Sequence, residues 1–206
     1  GAFSQTYEPL EIILSDDYSS DNTFKIIEQL TNTYNGPHKI VLNRNPSNKG
    51  LCDHINTVFG LSRAEIIVLA AGDDISLPDR VLRTAKIFDL YPNVQSVSME
   101  YRCIDDRGAL LPNGGKRYIS GKYDLPILIA GYSIPIHGCT RAYRTKLLDT
   151  FGPLNTTCKI EDAPLRLRSL FSGSIYHCNT EGILYRKHSA ALSVSIDKKK
   201  QRGVYR

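Results

Sequence analysis

Four short apolar runs punctuate the first half of the chain, at "EIILS", "KIVLN", "EIIVLAA" and "VQSVSMEY". Between them the apolar positions take helical spacing. In "NTFKIIEQLTNTY" Phe24, Ile27, Leu30 and Tyr34 fall on one face, with Ser20 or Asp21 available as a cap. Residues 51–62 turn Leu51, Ile55, Val58 and Phe59 inward, and a third helix, opening at Pro78, buries Val81, Leu82, Ala85 and Phe88. Strand-like runs alternating with amphipathic helices predict βαβ units, hence an α/β fold with a mostly parallel sheet. From residue 112 the pattern loosens. "PNGGKRYISGKYD" reads as a glycine-rich loop and "DLPILIAGYSIPIHGCTRAYR" as a short helix followed by a strand. "EDAPLRLRSLFSG" reads as a helix stopped by Gly173, and "SIYHCN" and "GILYRKH" as two short strands. The chain therefore divides into a βα half over 1–111 and a smaller mixed half over 112–206, both belonging to one domain.

The polar residues that interrupt this pattern collect at strand ends, where ligands bind in open α/β sheets. Asp16 and Asp17 close the first run, and Asp73 and Asp74 follow the third. Alone, an acidic pair before a helix is a capping device favoured by the helix dipole. Two such pairs at the ends of different strands of one parallel sheet point instead to a nucleotide and a hard divalent cation, because magnesium or manganese takes one or two carboxylates plus phosphate oxygens. "NPSNKGLCDHIN" is either a plain turn before a helix or a loop that sets Asn48 and Gly50 against a base and Lys49 near a phosphate. Glu161 and Asp162 at the start of a later helix can cap it, or can take a proton from a substrate hydroxyl. His188 in "YRKHSAALS" can ligate a metal or meet a pyrophosphate oxygen, although a lone histidine at a strand end is ordinarily a surface residue.

Composition narrows the classes. At 206 residues, 41% hydrophobic and 23% charged, the chain is of the size and kind of one globular domain. No apolar run approaches the ~20 residues that span a bilayer. The five cysteines are odd in number and never form CxxC, which argues against a disulfide framework or a zinc knuckle and for a reducing compartment. The net charge of +5 resides partly in the terminal "IDKKKQRGVYR", a solvated end or a contact for an anionic membrane surface. Basic and aromatic residues do not interleave as in nucleic-acid binders.

Taken in order, "EIILSDDYSSDNT", "NKGLCDHIN", "AGDDISLPDR", "IEDAPLRLRS" and "YRKHSAALS" make a chain that resembles the family 2 glycosyltransferases over nearly its whole length. The resemblance implies an inverting enzyme of the Rossmann-like GT-A fold, a nucleotide-sugar donor (a UDP-sugar), and manganese or magnesium. It implies that Asp17 contacts the uracil with Asp16 supporting the turn, and that Asn48 and Gly50 lie along base and ribose. Asp73 and Asp74 would face ribose and metal, His188 the diphosphate or metal, and Asp162 would be the general base with Glu161 beside it. Arg186 is a weaker phosphate candidate, and His137 and Arg141 are candidates for touching the acceptor. The implied acceptor is a glycan or lipid-linked sugar and the implied setting is bacterial surface polysaccharide synthesis in the cytoplasm, with peripheral membrane contact.

Two departures from the family pattern stand out. The acidic metal motif lacks a further aspartate, Ala71 standing two positions before the pair. The apolar first strand with its Pro-Thr-Tyr-Asn-like turn is missing before "FSQTYEPLEI", which implies a truncation or a neighbouring segment in its place. Two other functions fit parts of the pattern. A sugar-phosphate nucleotidyltransferase shares the crevice and the metal but needs a glycine-rich phosphate loop that is not found. A disabled donor-binding protein would bind nucleotide-sugar without transferring it.

Overall fold

The computed structural model describes residues 1–112, 117–135 and 137–189. The glycine-rich loop falls partly, and the basic terminal segment wholly, outside the described residues. Strands β1 (Glu11–Asp16) and β2 (Lys39–Arg44) pair in parallel as a small sheet, crossed over by helix α1 (Thr23–Asn32). Helix α2 (Leu51–Leu61) leads to β3 (Ile66–Val68), the two-residue β4 (Ile75–Ser76), α3 (Arg80–Leu90) and the long β5 (Val94–Ile104). The second half adds β6 (Gly121–Tyr123), α4 (Leu125–Ile129), a 3-10 turn at Gly138–Thr140, β7 (Ala142–Arg144), α5 (Lys146–Phe151), α6 (Asp162–Ser172) and β8 (Ser174–Arg186).

The larger sheet runs in the order β3-β7-β5-β8-β4, with β6 also on β8. The α/β class is as expected, but the pairing is mixed rather than mostly parallel. The long strands β5 and β8 are parallel, whereas β4, β6 and β7 enter antiparallel. These inserts are only two or three residues long, so they need no helical crossover of the kind parallel neighbours require. The two short terminal strands are one strand. Between Met99↔Cys178 and Glu100↔Glu181 the register shifts, so a bulge absorbs the polar Asn179 and Thr180 that look like a turn in sequence.

Helices cover the sheet with three apolar clusters. Cys52, Phe59, Ile67, Tyr143, Leu147, Leu154 and Leu165 join α2, α5 and α6 to β3 and β7. Ile87, Phe88, Val94, Val97 and Ala142 seat α3, and Ile134, Leu170 and Ile175 seat α4 and the end of α6. Each fully buried aliphatic side chain here is worth roughly 1.5–3 kcal/mol. Two inward faces differ from expectation. Helix α3 buries Arg80, Thr84, Ile87 and Phe88, so Val81, Leu82 and Ala85 are only half-buried. Helix α1 buries no residue fully: of the expected inward face Phe24 and Ile27 are half-buried and Leu30 is 52% exposed.

Candidate active site

The end of β1 shows how adjacent carboxylates are tolerated. Asp16 is buried and accepts from Ser19 N–H at 3.1 Å and Ser19 Oγ at 2.5 Å, with Arg44 Nε at 3.4 Å. Asp17, in the bend just after β1, has a different set of partners. It accepts from Asn45 Nδ2 at 2.7 Å and from the backbone N–H groups of Lys49 at 2.9 Å and Gly50 at 2.8 Å. Burial pushes the Asp17 carboxyl up, but these donors together hold it below its ordinary range. Asn48 Nδ2 closes the loop on Asp17 O at 3.0 Å, and Asn45 also meets His54 Nδ1 at 2.9 Å. Gly50 carries φ +80, where a side chain would be strained. The chain itself thus satisfies both aspartates. Next to them Tyr18 is 51% exposed at φ 63, a conformation rare for a non-glycine residue.

The turn between β3 and β4 sets the second acidic pair against the end of β8. Asp73 Oδ2 lies 2.9 Å from His188 Nε2. Asp74 Oδ1 accepts the Arg186 N–H at 2.9 Å, while Asp74 Oδ2 is buried without a partner among the described residues. Burial is the main reason the Asp74 carboxyl is pushed up to about 6, with Asp73 adding to it and the Arg186 N–H opposing. The Arg186 guanidinium is engaged by the carbonyls of Asp73, Asp105 and Asp106, so it serves here as a staple of the site wall. Beneath the pair lies Arg80, 2% exposed, donating to Leu69 O at 2.8 Å, Cys139 O at 3.1 Å and Ser76 Oγ at 2.9 Å.

At the start of α6, Asp162 Oδ2 accepts Gly138 N–H at 3.2 Å, and the Glu161 and Asp162 carboxyls share a hydrogen bond when one of them carries the proton. A Cβ on Gly138 would overlap Asp162 Oδ1 and crowd Glu161, so only glycine lets the 3-10 turn lie this close. Burial, then repulsion from Asp162, pushes Glu161 up to about 7, and burial raises Asp162 as well. A carboxyl raised in this way suits proton transfer near neutral pH. His137 packs edge-on against the Tyr101 ring at 4.9 Å, and Tyr101 meets Tyr185 at 5.5 Å. Burial pushes the His137 imidazole down, while the Asp162 charge opposes. Arg141 is fully buried and donates to Ser96 Oγ and Pro135 O.

The turn Gly138–Thr140 joins the last two clusters. Arg80, under Asp74, holds its Cys139 carbonyl, and Gly138 holds Asp162. The Cys139 thiol is raised by burial first, then by the charges of Asp74, Asp162 and Asp73. Asp73, Asp74, Glu161, Asp162, His137, Arg141, Arg186 and His188 therefore form one assembly. Asp16, Asp17, Asn48, Lys49 and Gly50 form another, and no hydrogen bond joins the two among the described residues. Sequence reasoning missed Asn45, Arg80, Cys139 and the Tyr101–Tyr185 pair. The asparagine and the tyrosines carry no spacing signal, and an arginine in a helix reads as surface.

As to a cation, Asp73 and His188 offer one oxygen and one nitrogen on adjacent side chains, a set that fits manganese or magnesium when phosphates complete the sphere. Among the described residues no three His, Cys, Asp or Glu side chains are grouped to hold an ion unaided.

Comparison with known proteins identifies the family and the fold. The profile of the family described as "Glycosyl transferase family 2" matches residues 1–152. EpsE of Bacillus subtilis, named as a candidate glycosyltransferase, is 28% identical over 187 residues, covering 89% of this chain and 64% of its own. WfaP of Escherichia coli, named as a UDP-Glc:α-D-GlcNAc-diphosphoundecaprenol β-1,3-glucosyltransferase, is 26% identical over 94% of this chain and 72% of its own. Among solved structures, TarS 1–349 of S. aureus with UDP-GlcNAc aligns at TM-score 0.70 and 16% identity, over 92% of this chain and 53% of that one. The mannosyltransferase PcManGT of Pyrobaculum calidifontis, with GDP-Man and Mn2+, aligns at TM-score 0.68 and 16% identity, over 97% and 54%. The chain thus spans 64% of the length of EpsE and about half that of the matched structures.

Proposed function

The chain belongs to the family 2 glycosyltransferases and has the GT-A fold, and from that premise we propose that it transfers a sugar from a UDP-sugar to an acceptor hydroxyl with inversion, Asp162 being the general base. The observation that carries this reading is the buried Glu161–Asp162 carboxyl pair, raised together at the start of α6 and held there by the Gly138 N–H. A sugar hydroxyl is a poor nucleophile, and a carboxylate with an unused lone pair can take its proton as it attacks the anomeric carbon. The nucleoside diphosphate leaves from the opposite face, so one displacement inverts the configuration and no covalent intermediate on the protein is needed.

The loop held by Asp17 would cradle the base and ribose, with Asn48, Lys49 and Gly50 at its rim, and Asp16 would keep the strand-end turn in place. Asp73 and His188 would hold the divalent cation, with Asp74 behind them. When bound, the cation supplies charge neutralisation for the departing diphosphate. His137 and Arg141 stand beside Asp162, on the side we assign to the acceptor. The acceptor we infer is a glycan or a lipid-linked sugar, in keeping with the diphosphoundecaprenol-linked acceptor in the name of WfaP. Bacterial surface-glycan synthesis in the cytoplasm, at the membrane's inner face, follows as part of the same reading. No helix among the described residues is long and apolar enough to cross a membrane.

Asp162→Asn tests the assignment. Removing the base is expected to lower transfer by about 10²–10⁴-fold while UDP affinity, read by calorimetry with manganese, stays within about twofold. Transfer at the wild-type rate would remove Asp162 from the reaction. In the wild type, kcat should fall as pH drops through the raised range of the Glu161–Asp162 pair, because the base is lost on protonation.

A further inference from the structure

Asp162 and Arg166 stand four residues apart on α6 and so share a face, one turn above the other. Arg166 is half-buried. Its Nε, the Arg141 Nε and the Tyr143 hydroxyl are buried polar atoms without a partner among the described residues. They lie within one another's fields. Asp162 and Arg141 act on both Tyr143 and Arg166, and Tyr143 acts on Arg166.

An unpaired buried donor costs about 1–3 kcal/mol, so three of them within the field of the Asp162 carboxyl call for an explanation. Neighbouring arginines are used differently. Arg168 donates to Gly152 O and Pro153 O, and Arg144 donates to Val94 O and Phe88 O. Arg141 is fully buried with its terminal nitrogens on Ser96 and Pro135, and Tyr143 is buried in the core. The partly exposed Arg166 guanidinium is therefore the group that can meet an anion, and arginine matches a phosphate in two-point fashion. In an inverting displacement the donor's diphosphate departs from the face opposite the base, whereas Arg166 stands with the base on α6, so the anion suited to it is one on the acceptor side.

Resting on the assignment of Asp162 as the base, we propose that Arg166, backed by Arg141 and Tyr143, binds a phosphate ester carried by the acceptor beside the hydroxyl that Asp162 deprotonates. Such a residue selects acceptors whose sugar is attached to a phosphate over neutral glycans. It also sets the distance from that phosphate to the hydroxyl that reacts.

The test is calorimetric titration of glucose 1-phosphate, its methyl diester and free glucose into the full chain saturated with UDP and manganese. Wild type is expected to bind the two phosphate esters at least tenfold more tightly than glucose. Arg166→Gln should lose that preference and Arg166→Lys should keep part of it, with UDP affinity unchanged in both. A monoester bound better than the diester marks a terminal phosphate, and equal binding marks a phosphodiester-linked acceptor. Equal binding of glucose and both esters by wild type, or an unaltered preference in Arg166→Gln, overturns the proposal. If UDP does not bind, the donor reading fails separately, and the same titrations on the nucleotide-free chain still decide the role of Arg166.

Discussion

Asp74 ends in a buried oxygen that nothing in the described chain satisfies, and its cost can be measured. Its carboxyl sits at about 6 against an ordinary 3.8, raised first by burial. For a raised carboxyl the native state is penalised once the group ionises. The contribution to stability is intact below pH 3.8 and lost as pH rises through about 6. Allowing for the partial exposure of the side chain, the penalty at neutral pH is about 1 kcal/mol. Asp74→Asn keeps the acceptor for the Arg186 N–H and removes the charge. Its melting temperature should exceed that of wild type by ~2–4 °C at pH 7.5 and match it near pH 4, while manganese-dependent UDP binding weakens. A variant no more stable at pH 7.5 would show that the oxygen is already satisfied. Residues of this kind were legible in the sequence as a pair, because two carboxylates after an apolar run are conspicuous. Which oxygen is idle was not, since Arg186 lies 112 residues away. The same holds for Asp16 and Asp17, whose partners Ser19, Asn45, Lys49 and Gly50 are ordinary turn residues in sequence.

Among the elements, α3 carries the largest surprise and the clearest handle. Periodicity located this helix within two residues of its start, because Phe88 and its neighbours repeat at helical spacing. It missed the inward face by one position, because a charged residue is assigned to solvent unless its partners are known. Arg80 is buried because it ties the end of β3, the short β4 and the turn before β7 through Leu69 O, Ser76 Oγ and Cys139 O. Burial lowers its guanidinium to about 10, which leaves it charged at neutral pH. Arg80→Met would fill the volume and leave the two carbonyls unpaired in the interior. The expected loss is about 3 kcal/mol in urea unfolding, with a matching loss of transfer because the Cys139 turn also holds Asp162 through Gly138. A loss under about 1 kcal/mol would mean that water replaces the guanidinium. Strands were legible by the same logic where they are long and apolar. The three-residue β6 and the bulge in β8 lack enough residues, or the right polarity, to declare themselves, whereas β7 falls at the end of the stretch read as a short helix and a strand.

At the scale of the molecule, the small sheet and the large one must act together if one donor reaches both Asp17 and Asp73. Few contacts do this work, and Gln5 is central to them. Its side chain donates to Leu77 O at 2.9 Å and accepts Val81 N–H at 3.0 Å, next to the first turn of α3. Its carbonyl meets His38 Nε2 at 2.9 Å, just before β2. Gln5 is 7% exposed and His38 6%, so the link is shielded from water. Gln5→Ala removes three side-chain bonds, to Gly1 O, Leu77 O and the Val81 N–H. It leaves the Val81 N–H without this partner while the Leu77 carbonyl keeps the Arg80 N–H, at a cost of about 1–3 kcal/mol. The informative readout is hydrogen exchange with UDP and manganese. In wild type, ligand is expected to slow exchange both in the Asn45–Gly50 loop and in the Asp73–Asp74 turn. In Gln5→Ala the two responses should separate, the loop keeping its protection while the turn loses most of it. Equal protection of both segments in the variant would show that the donor, rather than Gln5, is what aligns the two sheets.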